Sequence, residues 1–237
     1  MQSKIAAALH MKTEPVAVYR TAVRPEGALM FKPGVWGCVI AMLGAAAKGR
    51  TAAFDRETVV CRGGRVGLGF EKFAPGAIEY FLSTGETGGK PGEHYKASPE
   101  LARAYVDGLP DIVTPDMVVF QPLSQVTDET PETVVFLVNA DQLSALVTLA
   151  NYDKASQDNV QMLFGAGCAQ SILYGLNASK QGTDTCYIGL TDPSARKCID
   201  KDVLSFTVPY ARFLEMEANA DGSFLHTDTW QVIERRL

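Results

Sequence analysis

The sequence predicts an α+β fold in which helices accompany a mixed sheet. Short runs rich in valine and phenylalanine are typical of strands, and longer segments with helix-start signals alternate with them. The chain has 237 residues, 46% of them hydrophobic, so it can bury a large core. We therefore expect one domain over residues 1–237, with residues 1–110 and 111–237 as candidate pseudo-symmetric halves.

The predicted strands are apolar runs bounded by polar or turn residues. The clearest span residues 16–19, 118–120, 134–138 and 186–190, and further runs lie at residues 51–55, 57–61, 160–164 and 204–210. Residues 124–132 are polar and join two predicted strands. We therefore expect a hairpin-type connection there.

The predicted helices start near Cys38, Ser98, Asn139 and Cys168. Ser98 is a favourable N-cap, and Pro99 after it fits the first helical turn. Other segments predict helices at residues 77–82 and 211–220, a flexible polar crossing at residues 83–93 and a glycine-rich loop at residues 62–69. We expect this loop to contain a glycine at positive φ and to border the largest cavity.

Composition and charge argue against several classes of protein. The net charge is −5 and no dense run of Lys or Arg occurs, so neither nucleic acid nor an anionic membrane is an expected partner. The sequence has no signal-peptide pattern and no membrane-spanning apolar run. Its five cysteines are an odd number and lie far apart, which argues against a secreted disulfide framework. We expect a cytoplasmic protein.

A short repeat relates the two candidate halves. A Gly-Cys pair opens a helical segment in each half, and a predicted strand follows each segment. In this alignment Cys38 matches Cys168 and Leu43 matches Leu173, as an internal duplication predicts.

Longer phrases of the sequence are also distinctive: WGCVIAMLGAAAKG, CRGGRVGLGF, FLVNADQLSALVTLANY, FGAGC, GLTDPSARK and LSFTVPYARFLEMEAN. Over residues 1–224 they resemble domain of unknown function family 169, from anaerobic bacteria and archaea. The resemblance implies no settled activity, but it marks the glycine-flanked cysteines as family features. It also implies that some members have another cysteine just before the position of Cys61. This chain has Val59 and Val60 there, which argues against a four-cysteine site.

Three glycine-flanked cysteines are the candidate metal ligands. Cys38 and Cys168 follow Gly37 and Gly167 and begin apolar helices, where free N–H groups and the helix dipole favour the thiolate. Cys61 opens the glycine-rich loop, whose backbone could wrap an inorganic group. Three such thiolates are typical of an iron–sulfur cluster. We therefore expect them to meet around a 4Fe–4S cluster or another thiophilic metal.

The remaining cysteines have a simpler interpretation. Free cysteines often behave as small buried hydrophobic residues, and we interpret Cys186 and Cys198 in that way. The same interpretation remains open for the three candidate ligands.

The glycine-rich loop also supports a second hypothesis. Arg62 and Arg65 lie beside Gly63 and Gly64, and guanidinium groups next to bare backbone N–H groups suit a phosphate or carboxylate. The chain would then be a metal-free binding module for a small anionic or phosphorylated ligand. A metal protein would instead act in redox transfer, sensing or chemistry at an open iron, with a redox partner protein. A structural or partner-binding protein, with solvated arginines in a tight loop, is the third alternative.

Overall fold

The computed structural model describes residues 1–76, 78–85 and 91–237. Within these residues it has one seven-stranded sheet and ten α-helices, which confirms the predicted α+β class. The strands are β1 (Val16–Thr21), β2 (Ala52–Asp55), β3 (Met117–Pro122), β4 (Thr133–Val138), β5 (Val160–Gln161), β6 (Cys186–Gly189) and β7 (Leu204–Pro209).

The helices start where the capping signals predict them. Ser98 accepts a hydrogen bond from the Leu101 N–H at 3.3 Å, and Asn139 forms a reciprocal capping box with Gln142. A π-helical turn, Ala169–Leu173, leads from Cys168 into α7. The α-helices are α1 (Lys4–Ala8), α2 (Val39–Ala47), α3 (Arg62–Gly67), α4 (Ile78–Leu82), α5 (Pro99–Asp107), α6 (Ala140–Leu149), α7 (Tyr174–Gln181), α8 (Pro193–Arg196), α9 (Tyr210–Asn219) and α10 (Asp228–Glu234).

The sheet is mixed, as predicted. Its strand order is β2-β3-β1-β4-β7-β6-β5, with β5 and β6 parallel and the other neighbours antiparallel. Because side chains alternate along a strand, each strand contributes to both faces of the sheet.

The sheet also repeats its own topology about the contact between β1 and β4. In the first half the strands lie in the order β1-β3-β2, and in the second half in the order β4-β7-β6. The pairs between the two central strands are Val16–Val135, Ala17–Val134 and Val18–Thr133. If residues 16, 17 and 18 take the places of residues 133, 134 and 135, and the reverse, the same three pairs result. The centre of the sheet is therefore pseudo-two-fold symmetric.

The two faces of the sheet carry separate cores. We call the first the cysteine face: side chains such as Val18, Phe120 and Val135 pack there with α2, the residues flanking α3, the π-helical turn and α7. The second is the closed face, where Phe136 and Phe206 pack with α1, α6, α9 and α10. Cys38 and Cys168 pack on the cysteine face, and Cys61 lies near Cys168.

Several local predictions are wrong. Residues 62–67 form α3 rather than a loop, because tertiary packing overrides the low helix propensity of their glycines. Residues 57–61 form no strand, and only Val160 and Gln161 of the run 160–164 do so. The connection 124–132 is not a hairpin, because β1 lies between β3 and β4. Residue 77 of the predicted helix 77–82 and residues 86–90 of the polar crossing 83–93 lie outside the described residues.

Candidate thiol site

The three predicted ligands lie at the starts of three helical segments. Cys38 is the N-cap of α2, but its side chain makes no capping hydrogen bond, so the thiol is not committed to the helix. Cys61 is the N-cap of α3, and its sulfur accepts a hydrogen bond from the Gly64 N–H at 3.4 Å. Cys168 immediately precedes the π-helical turn.

Close glycine contacts bring these segments together. A methyl group at Gly64 would lie 2.9 Å from Cγ2 of Val39, the residue after Cys38. One at Gly67 would lie 2.9 Å from the carbonyl carbon of Cys168. Contacts this short leave no room for a side chain. The glycines of α3 therefore let that helix pack against the starts of the other two segments.

Gly167 forms the next contact. A methyl group there would lie 2.6 Å from Cβ of Ala195 in α8 and 3.5 Å from Cγ1 of Ile40 in α2. The Gly167 N–H also donates a buried hydrogen bond of 2.9 Å to the carboxylate of Asp192, the N-cap of α8. The segment before Cys168 is thereby fixed against both α2 and α8.

The electrostatics of Cys168 reflect this convergence. Burial, and then the neighbouring Cys38, Cys61, Asp192 and Cys198 side chains, raise the pKa of the Cys168 thiol well above its ordinary value. The sequence predicted that the helix start would favour the thiolate here. That expectation is wrong for the ligand-free protein, because desolvation outweighs the short helix terminus.

Cys198, which the sequence interpretation treats as structural, lies close to the predicted ligands. Burial, and then the adjacent Cys38 side chain, raise the pKa of Cys198 to about 11. Its side chain is half-buried against the core of the cysteine face. The structure therefore brings together Cys38, Cys61, Cys168 and Cys198, whereas Cys186 lies buried on the closed face.

The π-helical turn is held by polar contacts on both sides. Gln170 is buried, and its amide nitrogen donates to the Leu163 carbonyl at 2.8 Å and to the Thr191 hydroxyl at 2.6 Å. The Thr207 hydroxyl donates to the Ser171 carbonyl at 2.8 Å. π-Helical turns are frequent at functional sites. Here the turn fixes the segments on either side of Cys168.

The arginines of α3 surround one carboxylate instead of an open ligand site. Arg65 lies 3.2 Å from the largely buried Glu71 carboxylate, Arg62 lies 3.8 Å from it and Arg56 lies 4.0 Å from it. The guanidinium of Arg62 also stacks over the Phe73 ring, 5.6 Å from its centroid. Three guanidinium groups therefore lie around this one carboxylate.

The other predicted ligand-binding glycines divide into two kinds. Gly37 packs against the ring of Phe31, so it has a close-packing role. A methyl group at Gly63 would meet only the Cys61 sulfur, at 3.9 Å. Gly63 therefore leaves space beside that sulfur.

One part of the expectation about the glycine-rich segment is confirmed. Gly69 has φ +76°, in the left-handed region. The expected cavity beside this segment stays a prediction, and the two cavities described next lie elsewhere. A cavity of about 720 Å³ is lined by the N-terminal segment, the end of α2 and Leu123. None of the described residues that line it belongs to α3. A smaller cavity of about 260 Å³ borders Cys198 and is also lined by Lys48 and Lys197.

No group of three or more His, Cys, Asp or Glu side chains in residues 1–76, 78–85 and 91–237 is positioned to hold a metal ion. Within the same ranges, no helix is long and apolar enough to cross a membrane.

The fold and the site together define an α+β protein with four cysteines gathered on one face of a pseudo-symmetric sheet. The profile of the family DUF169, described as Uncharacterised ArCR, COG2043, matches residues 4–219. The chain belongs to this family, as the sequence resemblance predicted. No curated protein and no solved structure matches it significantly.

Proposed function

We propose that Cys38, Cys61 and Cys168 bind a thiophilic metal group, in the first place a 4Fe–4S cluster. The observation that carries the proposal is the convergence of these cysteines from segments far apart in the chain. Thiolates are the ligands that iron–sulfur clusters require. The protein would then act in electron transfer, sensing or chemistry at an open iron, with a redox partner protein.

The donor set suits such a group. The sulfurs come from helix starts, and the Gly64 N–H already donates to one of them, as backbone N–H groups do around cluster sulfurs. A four-iron cluster holds its ligand sulfurs roughly 6–7 Å apart, whereas a single tetrahedral ion draws them to roughly 4 Å. The proposal concerns the polynuclear group, which requires the wider spacing.

A raised thiol pKa is compatible with metal binding. Cys168 is protonated in the ligand-free protein at neutral pH, because its pKa is raised by burial and by its neighbours. Coordination to a metal releases that proton. Cluster binding should therefore strengthen as the pH rises toward the raised pKa of the Cys168 thiol.

The test is anaerobic reconstitution with ferrous iron and sulfide, followed by iron and sulfide analysis and visible absorption spectra. Wild type should bind roughly four iron atoms per chain and turn brown. Cys38→Ala, Cys61→Ala and Cys168→Ala should each lose most of the iron. Cys186→Ala is the matched control, because Cys186 lies on the closed face and should keep the wild-type spectrum. Wild type that stays colourless, or a Cys186→Ala variant that loses iron equally, contradicts the proposal.

A second candidate function is a metal-free module that binds a small anionic ligand. The excess positive charge of Arg56, Arg62 and Arg65 around Glu71 favours it. Calorimetric titration of iron-free protein with inorganic phosphate tests this function. Binding should weaken in Arg62→Gln and persist in Arg50→Gln, since Arg50 lies outside this cluster. Equal binding by both variants contradicts the anion site.

A further inference from the structure

The pseudo-two-fold symmetry of the sheet extends beyond the two central strands. Ala52 of β2 pairs with Phe120 of β3, and Tyr187 of β6 pairs with Thr207 of β7. The Val16–Pro122 pair between β1 and β3 corresponds to the Thr133–Pro209 pair between β4 and β7. Phe120 and Thr207 each lie two residues before the proline, so the Ala52–Phe120 and Tyr187–Thr207 pairs occupy the same register in the two halves. β6 is thus the counterpart of β2.

The four cysteines of the cysteine face follow the same symmetry. Cys38 begins the helix between β1 and β2, and Cys168 begins the helical segment between β4 and β6. Cys61 follows β2, and Cys198 follows β6. From the strand register, Ala52 corresponds to Tyr187, which is 135 residues later, so Cys61 corresponds to residue 196. Cys198 lies two residues beyond that point.

Local contacts fix Cys198 near Cys168. Asp192 caps α8 through the Ser194 N–H at 2.9 Å and also accepts the hydrogen bond from the Gly167 N–H. The Cys198 N–H donates to the Ala195 carbonyl at 2.9 Å, which turns the chain back after α8. Since Ala195 packs on Gly167, the segment that carries Cys198 is joined directly to the segment that carries Cys168.

Cys198 differs from an ordinary core cysteine in its surroundings. Its side chain is half-buried and borders the cavity of about 260 Å³, together with Lys48 and Lys197. A small hydrophobic residue would be expected to lie fully in the core, as Cys186 does. Cys198 instead lies near Cys168 and Cys38 and also borders a cavity.

We propose that Cys198, the symmetry counterpart of Cys61, is the fourth thiol ligand and the one on the solvent side of the site. This inference rests on the proposed function. The fourth sulfur would come from the second half of the chain, so Val59 and Val60 before Cys61 would not prevent a four-cysteine site. The cluster would then bind two sulfurs from each half and hold the halves together.

The test compares wild type, Cys198→Ala and Cys186→Ala after anaerobic reconstitution with iron and sulfide. Cys186→Ala should match wild type in iron content and in the electron paramagnetic resonance spectrum of the reduced protein. Cys198→Ala should lose at least half of the iron or give the signal of a three-iron cluster. Iron content and spectrum equal to wild type in Cys198→Ala would overturn the ligand role alone. Wild type that binds no iron would overturn the proposed function and the ligand role together.

A measurement on the iron-free protein tests the geometry separately. Dibromobimane, which joins two neighbouring thiols and becomes fluorescent when it does so, is reacted with reduced wild type and Cys186→Ala. Peptide mass spectrometry should find Cys198 linked to Cys38 in both. The absence of any link from Cys198 to the other three thiols would overturn the inference. Thermal unfolding of iron-free Cys198→Ala, unchanged within a few degrees, shows that lost iron is not lost folding.

Discussion

Both faces of the sheet bury apolar cores, but the polar groups of the two faces differ in how fully they are hydrogen-bonded within the protein. On the closed face, Arg212 is completely buried, and its guanidinium donates to Asp153, to Glu215 and to the Ala150 carbonyl. Hydrogen bonds from Arg212 hold the pKa of Asp153 far below its ordinary range. On the cysteine face, the Cys38 thiol makes no capping bond and Cys198 borders a cleft.

This difference separates stability from binding. A buried charge that is held by several partners fixes α9 against the chain after α6. Thiols gathered at helix starts contribute little to stability by themselves. They are suited to bind something added to the protein. Variants on the closed face should therefore change unfolding, and variants on the cysteine face should change ligand content.

The largest expected effect is on the closed face. Arg212→Ala removes the buried guanidinium and leaves a cavity, so unfolding should become easier by about 3 kcal/mol. Urea denaturation of the iron-free protein measures it. Arg236→Ala is the control, because Arg236 is mostly exposed in its pair with Asp141 and should cost less than about 1 kcal/mol. Similar losses in the two variants would remove the distinction between a buried and an exposed ion pair.

A smaller effect is expected where α3 meets Cys168. Gly67→Ala places a methyl group against the Cys168 backbone, and the overpacking should cost about 2 kcal/mol. Gly63→Ala, in the same helix, meets only the Cys61 sulfur and should be neutral or stabilising by up to about 1 kcal/mol. The denaturation midpoints of the two variants measure this difference in stability. If Gly63→Ala is the more damaging change, the close packing of α3 on the start of the π-helical turn is wrong.

The smallest effect concerns pH and the closed face. Burial raises the pKa of Cys186 from about 9 to about 12, so at high pH the unfolded thiol ionises while the folded one stays protonated. Stability from this thiol is complete below about pH 9 and is lost as the pH rises toward 12. Between about pH 8 and about pH 10 the loss should be about 1.4 kcal/mol.

The matching variant isolates this thiol from other titrating groups. Cys186→Ala should lose less stability than wild type over the same pH interval, even if it is less stable throughout. Equal pH slopes for the two proteins would show that Cys186 is not desolvated as the closed face requires.

The sequence by itself determined the fold class, the family and most of the elements. Caps such as Ser98 and Asn139 act through neighbours three residues away, so local residues suffice to locate their helices. The apolar runs that form β1, β3, β4 and β7 were likewise predicted from the local sequence. The same local signals singled out Cys38, Cys61 and Cys168.

Only the tertiary structure decided how these pieces meet. Glycines predicted a loop at residues 62–69, but contacts with Val39 and Cys168 stabilise a helix there, because packing energy exceeds a propensity deficit of about 1 kcal/mol per glycine. The strand register of β6 and the hydrogen bond from Gly167 to Asp192 place Cys198 near the other thiols. Both are contacts between residues far apart in the chain, so the residues beside Cys198 in the sequence do not reveal them. Burial also reversed the expected acidity of Cys168, since desolvation depends on the whole fold rather than on the residues beside it in the chain.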